Sequence, residues 1–552
     1  MFVFFNKIIV ISFLVLLANY TLAQTGPGGV GNPSSNKIWL DATENSQFES
    51  GDPVTIFSDR SGNGYNFLQS SLPNTPTFVK DALNGRAAIH FDRTKAIQYL
   101  EITAPGIGDV MSNSNTIFAI AKANTGSINN LPYKTGFMQT IICSQGYTSG
   151  LFFEGHPTTV ALNLIQWTSS LGNISVRHTP VKDGEWNAMS KTSIEHWGTE
   201  LIGHCNGIEF GNTVTPTPML NYHHELRLGT TRNSFEASDA WSLNGDIAEI
   251  IIYNMALNNA QRIIVENYLS SKYNLPTAND YYVNNLSNYT YDVQGIGTAD
   301  GTVANKHSYS ASSKELLLAE MNGSLDSPNE FVFAGHSGID NNYIETDLPS
   351  SVDKRWSRIW YLEKSTASSL EISVSFKLPS SESNDPAKEY CLLFRPENSG
   401  SFNFIKNQGV VLQPTLKDGA VIFALSVDNS SIGNLKNGYY TLGVKPKGTT
   451  EIVSNHYNLL SPDKQASFPV VASGVLRFCY DEAYKSNVLT YSIYNYRKTI
   501  VGNLPVLTKQ YGDNFCTIDL SDKGLIKGTV YTLEVKGEKN SKYYLTFRYE
   551  DQ

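Results

Sequence analysis

The sequence predicts an all-β protein made of three antiparallel sandwiches, and three observations carry that expectation. Of its 552 residues 41% are hydrophobic and only 17% charged, with 30 Tyr, 26 Phe and 42 Gly, the balance of folded β-rich modules with many turns. Short runs of β-branched and aromatic residues recur along the chain, separated by turns rich in Gly, Asn and Ser. One stretch, Gly245 to Leu275, sends the strongest strand signal straight into a well-capped helix, as an element that closes a domain would. The length exceeds what one core can serve, and at roughly 150 residues per domain it suggests three or four; the breaks in composition give three.

Met1 to Ala23 has a single Lys7, an unbroken apolar run from Ile8 to Ala18, and Thr21-Leu22-Ala23 before Gln24, the order of a secretory signal peptide with its cleavage site. The run is short for a bilayer span of about 20 residues, so the mature chain is expected outside the cell with no membrane span. Residues 24–36, rich in Gly, Pro, Ser and Asn, read as a flexible leader.

Strands are then expected at Ile38 to Ala42, Val54 to Phe57, Tyr65 to Gln69, Ala87 to Phe91, Thr116 to Lys122, Gln139 to Ser144, Gly150 to Phe153, Glu200 to His204 and Glu225 to Gly229. Ile247 to Tyr253 has the composition of a strand buried on both faces. In the helix after it, Asn258 is the N-cap with Gln261 three residues on, Leu257, Ala260, Ile264 and Tyr268 recur at helical spacing, and Asn274-Leu275-Pro276 stops it. Taken together, IWLDATEN, the SDRSGNG turn, LNGRAAIHFD, TIFAIAK, ELRLG and GDIAEIIIYN with its helix resemble the concanavalin A-like (laminin G-like) jelly-roll domains of secreted bacterial surface proteins. The resemblance covers 37–277 and implies a fold that hosts lectins, glycosidases and plain adhesion modules.

Past Pro276 the register changes. Motifs at Tyr291, Asn329 and Val352 resemble a domain of unknown function that follows such jelly rolls, and 278–447 reads as a second sandwich, in which Trp356 and Trp360 are expected on one strand face around Arg358. The last segment, 448–552, alternates in strand fashion and is similar to the C-terminal sorting domains of the type IX secretion route, although their Tyr-Pro-Asn-Pro opening is missing. Five cysteines, none at metal-ligand spacing, are few for an exported chain; Cys479 and Cys516 lie in one domain and are either bridged or free thiols.

A net charge of −9 argues against nucleic acid or an anionic membrane as a partner. A glycosidase needs two carboxylates about 5 to 9.5 Å apart. Asp246 and Glu249 lie in a suitable strand, but their odd spacing assigns them to opposite faces of a regular strand, and Glu195 and Glu200 flank a turn; no catalytic residue is assigned. Glu249, grouped by alternation with Ile247, Ile251 and Tyr253, needs a partner, a hydrogen bond or a salt bridge to an arginine such as Arg227 or Arg262. Asp59, Ser61 and Asn63 place oxygens at alternating positions before Gly64, as half of a calcium loop does, yet position twelve falls on Ser70. No cofactor is required, and a structural calcium at this turn is the one ion the sequence suggests. His223-His224-Glu225 alternates across a strand and cannot converge on one ion.

If the ligand is a glycan, aromatic faces would stack on its rings. Trp167, Trp186, Trp197, Tyr222 and Trp241, in or near loops of the first domain, are the candidates, with Glu249 as the one unexplained acid. The expectation is therefore a secreted or cell-surface carbohydrate-binding or adhesion protein, with a glycan or surface polysaccharide, or other surface proteins, as partner. The alternatives are a polysaccharide hydrolase of the same fold and a structural spacer of a surface array.

Overall fold

The computed structural model describes residues 26–102, 107–110, 114–124, 138–144, 149–156, 159–168, 172–177, 181–195, 198–215, 217–218, 225–231, 241–283, 288–311, 315–349, 352–365, 370–379, 388–407, 410–427, 433–446, 470–472, 475–479, 488–494, 500–508, 515–519, 525–526, 529–536 and 542–549. Residues 1–23, read as a signal peptide, lie outside them, as do Trp197, Tyr222, His223 and His224. They fall into two compact units, one of Met1–Gly338 with Trp360–Ser368, the other of Ile339–Ile359 with Ser369–Gln552. The break expected at Pro276 does not divide them, because the strands after the helix pack on it.

The first unit opens with sixteen strands: β1 (Asn36–Asp41), β2 (Ile56–Phe57), β3 (Phe67–Leu68), β4 (Thr77–Leu83), β5 (Arg86–Phe91), β6 (Leu100–Ile102), β7 (Asn115–Ala123), β8 (Met138–Ser144), β9 (Ser149–His156), β10 (Thr159–Thr168), β11 (Gly172–Arg177), β12 (Asn187–Glu195), β13 (Thr199–Cys205), β14 (Ile208–Thr215), β15 (Leu226–Leu228) and β16 (Gly245–Tyr253). They form two eight-stranded sheets, β14-β13-β12-β7-β16-β5-β4 with β1 on β16, and β11-β10-β9-β8-β15-β6-β3-β2. Alternate residues of both sheets meet in one core that includes Ile89, Ile117, Phe153, Leu162, Leu228 and Ile250.

β16 is the pivot. Every one of its nine residues is buried, as a strand covered on both faces must be. Its pairing with β7 slips between Ile247 and Glu249, so Ala248 is an extra residue, a β-bulge. Ile247, Ile250 and Ile252 therefore face the core, while Asp246, Glu249, Ile251 and Tyr253 share the other face. This corrects the alternation read from the sequence. Asp246 and Glu249 are on one face, and Ile247 is not with them.

The helix α1 (Asn259–Tyr273) lies across that outer face. Asn258 caps it, accepting from Gln261 N while the Gln261 side chain accepts from Asn258 N, and Asn274 ends it at φ 52° in the left-handed region. Its far side is covered by β17 (Tyr291–Asp300) and β18 (Lys306–His307), which continue through Pro328–His336 to Trp360–Lys364. Residues 26–35, expected to be a flexible leader, are seated here instead. Gly28 makes a parallel bridge to Gln294, Val30 is fully buried, Tyr253 Oη donates to Val30 O at 3.1 Å, and His307 Nε2 lies 3.2 Å from Gly29 O. Gly29, at φ 73°, is required, because a Cβ there would collide with Ser310 Oγ.

In the second unit Glu371–Lys377 pairs with Ala420–Ser426, and Lys388–Arg395 with Gly438–Pro446. A five-stranded C-terminal sheet runs Val470–Ala472, Lys542–Tyr549, Val530–Lys536, Val488–Tyr494, Ile500–Thr508. Trp356 and Trp360 do not share a strand: the first ends Lys354–Trp356 and packs edge-on to Phe376, the second begins Trp360–Lys364 and meets His336. Cys143, Cys205 and Cys391 are buried free thiols; Cys479 pairs with Phe515 and Cys516 with Phe478 in the ladder register. Among the described residues no helix is long and apolar enough to cross a membrane.

Candidate functional site

The outer face of the β16 sheet carries two polar constellations, one under the helix and one beyond its reach. Beneath the helix, Glu249 is wholly buried and accepts four hydrogen bonds. Trp39 Nε1 and Tyr268 Oη donate to Oε1 at 2.8 Å each, and Lys272 Nζ at 2.6 Å and Tyr273 Oη at 2.8 Å donate to Oε2. Tyr268 and Lys272 are one turn apart, and Tyr273 is the next residue, so the last turns of the helix supply three of the four donors. Lys272 Nζ also reaches Asp41 Oδ2 at 2.5 Å, where Arg60 Nη1 donates at 2.7 Å. Two carboxylates and two cations thus close on themselves.

Neither arginine expected beside Glu249 is there. Arg227 pairs with Glu101 and Glu225, and Arg262 with Glu266 at 2.7 Å. Burial pushes the Asp41 carboxyl up, but Lys272 and Arg60 outweigh it and hold it below the usual carboxylate range. Burial, then the Glu249 charge, raises the phenols of Tyr253, Tyr268 and Tyr273 well above their ordinary value, so Tyr268 and Tyr273 serve Glu249 as neutral donors.

Arg60, stacked 4.3 Å over the Trp39 ring, leads from this cluster into a polar cleft whose wall also holds Glu44, Arg86, Tyr291 and the backbone of Gly26 and Gly29. The cleft encloses about 60 Å³. At roughly 10–15 Å³ per water that is room for about four to six waters, or for one end of a sugar.

The second constellation centres on Asp246. His90 Nδ1 lies 2.8 Å from Oδ1 and Lys122 Nζ 3.0 Å from Oδ2. A carboxylate only accepts, so His90 donates through Nδ1, on a side chain 31% exposed. The same ammonium stands 5.0 Å from the ring centre of half-buried Trp186. The Ala248 bulge sets Asp246 on this face.

Of the other aromatic candidates, Trp167 belongs to β10 opposite Asn173, and Trp241 packs edge-on to Phe152 at 5.8 Å. The structure brings Trp186 together with polar groups and leaves Trp241 in packing. The sequence reading missed His90, Lys122 and Arg60; the HFD of LNGRAAIHFD and the K of TIFAIAK were visible, but which residue faces which across strands was not.

At the Asp59 turn, Asp59 Oδ1 accepts from Trp39 N and Ser61 N, and Oδ2 from Ser61 Oγ and Tyr65 N, all at 2.8–3.0 Å. Asn63 Nδ2 donates to Asn36 O and Lys37 O at 3.1 Å. These groups pin the turn to β1. Among the described residues no three His, Cys, Asp or Glu side chains converge on an ion-sized space.

Fold and site together define an all-β protein whose first unit is a two-sheet sandwich backed by one helix. No family model and no curated protein sequence matches the chain. Among solved structures it is similar to the binding domain of botulinum neurotoxin serotype G at 10% identity and a TM-score of 0.31, over 92% of each chain. A carbohydrate esterase from a Shiga toxin-encoding bacteriophage matches at 9% identity and a TM-score of 0.25, over 40% of this chain and 99% of that one. A Trypanosoma rangeli sialidase matches at 13% and 0.26, over 44% and 34%. Likenesses of this size carry no statement about ligand or reaction.

Proposed function

We propose that the protein is a carbohydrate-binding adhesion protein exported by its N-terminal leader, and that its sugar-binding surface is the Trp186 patch. The observation behind this reading is the grouping of a half-buried indole with a carboxylate, an imidazole and an ammonium on one sheet face. A pyranose offers an apolar face and a rim of hydroxyls, and the patch offers a ring beside hydrogen-bonding groups of both kinds. The resemblance of residues 37–277 to lectin-like jelly rolls points the same way.

A hydrolase is less well supported by the same face. Asp246 and Glu249 share it, but Glu249 is filled by four donors and fully buried, which leaves it no path to a glycosidic bond. A glycan array with the full secreted chain tests the proposal. Binding at micromolar strength that is lost in Trp186→Ala and His90→Ala supports it; a silent array leaves the spacer, and sugar release that disappears on a single carboxylate change would establish a hydrolase.

A further inference from the structure

The cleft beside Arg60 contains a charge that no acid among the described residues balances. Arg86 is 8% exposed, yet among the described residues its one side-chain hydrogen bond is from Nη2 to Thr290 Oγ1 at 3.1 Å, and no described carboxylate lies within ion-pair distance of it. Its guanidinium is stacked 4.2 Å from the centre of the Tyr291 ring, and Arg86 and Tyr291 both line the cleft.

Each described acid of the same wall has a basic partner other than Arg86. Asp41 takes Lys272 and Arg60, Asp292 takes His336 Nε2 at 2.8 Å, and Glu44, 54% exposed at its side chain, lies 3.6 Å from Arg60. Taking a guanidinium out of water is costly unless an anion meets it, and the planar fork suits a carboxylate in two parallel bonds. Arg60 adds a second guanidinium, spent in part on Asp41, to the same wall.

We infer that this cleft is a binding site for a carboxylate carried on a hydroxylated ring, a hexuronic acid, with Arg86 holding the carboxylate. The Glu44 carboxylate at the wall, more than half exposed, offers a partner for hydroxyls, and the small volume limits the ligand to one residue at a chain end or to the free acid. The site is separate from the Trp186 patch and does not depend on it.

Calorimetry on the full chain tests this with D-glucuronate, a glucuronate-terminated disaccharide, D-glucose and acetate. Glucuronate is expected to bind at least about tenfold more tightly than glucose or acetate. Arg86→Met, which keeps the apolar stem on Tyr291, should lose that preference, and Trp186→Ala should leave it intact. If Arg86→Met does not fold, Glu44→Gln serves: removing a like charge from the wall should tighten glucuronate severalfold. A disaccharide that matches the free acid identifies the chain end as a source; one that fails to bind restricts the site to the free acid. Equal binding of glucose or acetate, no saturable heat with either uronate, or unchanged binding in both variants would overturn the inference.

Discussion

Lys272 Nζ lies 2.6 Å from Glu249 Oε2, and with Asp41 at 2.5 Å it bridges two buried carboxylates, one from the central strand and one from the first. The bond joins the last turn of the helix to the sheet beneath it. Removing one partner leaves the rest charged and buried. Glu249→Gln and Lys272→Met should each cost about 3–5 kcal/mol. Urea unfolding measures it; a loss below about 1 kcal/mol would show that water reaches the cluster.

Acid should weaken the first unit before its carboxylates protonate. Burial lowers His307 to about 4, and burial followed by the Arg262 charge lowers His204 to about 3. Below the ordinary histidine value near 6.5 the unfolded chain takes up protons that the folded chain refuses. Stability is therefore full above about pH 6.5 and falls as pH drops toward about 4, by on the order of 2–3 kcal/mol for His307. His307→Gln should flatten that slope in urea midpoints between pH 7 and pH 4.5; an unchanged slope refutes the assignment.

Lys191 acts at the other end of the scale. It follows Met189 on the core face of β12, its Nζ lies 2.5 Å from Ser149 Oγ, and burial lowers it to about 7. Between about pH 7 and 10.5 the unfolded lysine holds a proton that the folded one has lost, so stability rises with pH through that window. Lys191→Met should remove this rise and stabilise the protein by about 1–4 kcal/mol at pH 7. Parallel pH series of wild type and variant, subtracted, read out this one group.

The seated N-terminal segment predicts that Gly29→Val lowers the melting temperature. It forces a side chain against Ser310 at a left-handed backbone angle. A cost of about 1–3 kcal/mol for the backbone strain alone gives a clear shift. An unaltered melting temperature would mean the segment is dispensable.

At the Asp59 turn the carboxylate already accepts four hydrogen bonds from within the turn and β1. Calcium would have to displace them, so calcium and then a chelator should leave the melting temperature unchanged. A chelator-sensitive rise would instead establish the ion suggested by the Asp59, Ser61 and Asn63 spacing.

Composition and local pattern determined the all-β class, most of the strands of the first sandwich and the helix with both caps, because strand propensity and capping are properties of neighbours in sequence. The strands at Thr77–Leu83, Thr159–Thr168 and Asn187–Glu195 escaped, the last because Ser190, Lys191, Thr192 and Ser193 are polar yet buried. Only the tertiary structure decided the site. One extra residue at Ala248 reverses the alternation of β16, so Asp246 and Glu249 share a face that a regular strand would deny them, and the helix then brings Lys272 to Glu249 from 23 residues away. A bulge of this kind has no compositional mark. It is chosen by how two strands pair and what covers them, and that depends on the whole sandwich rather than on the residues nearby.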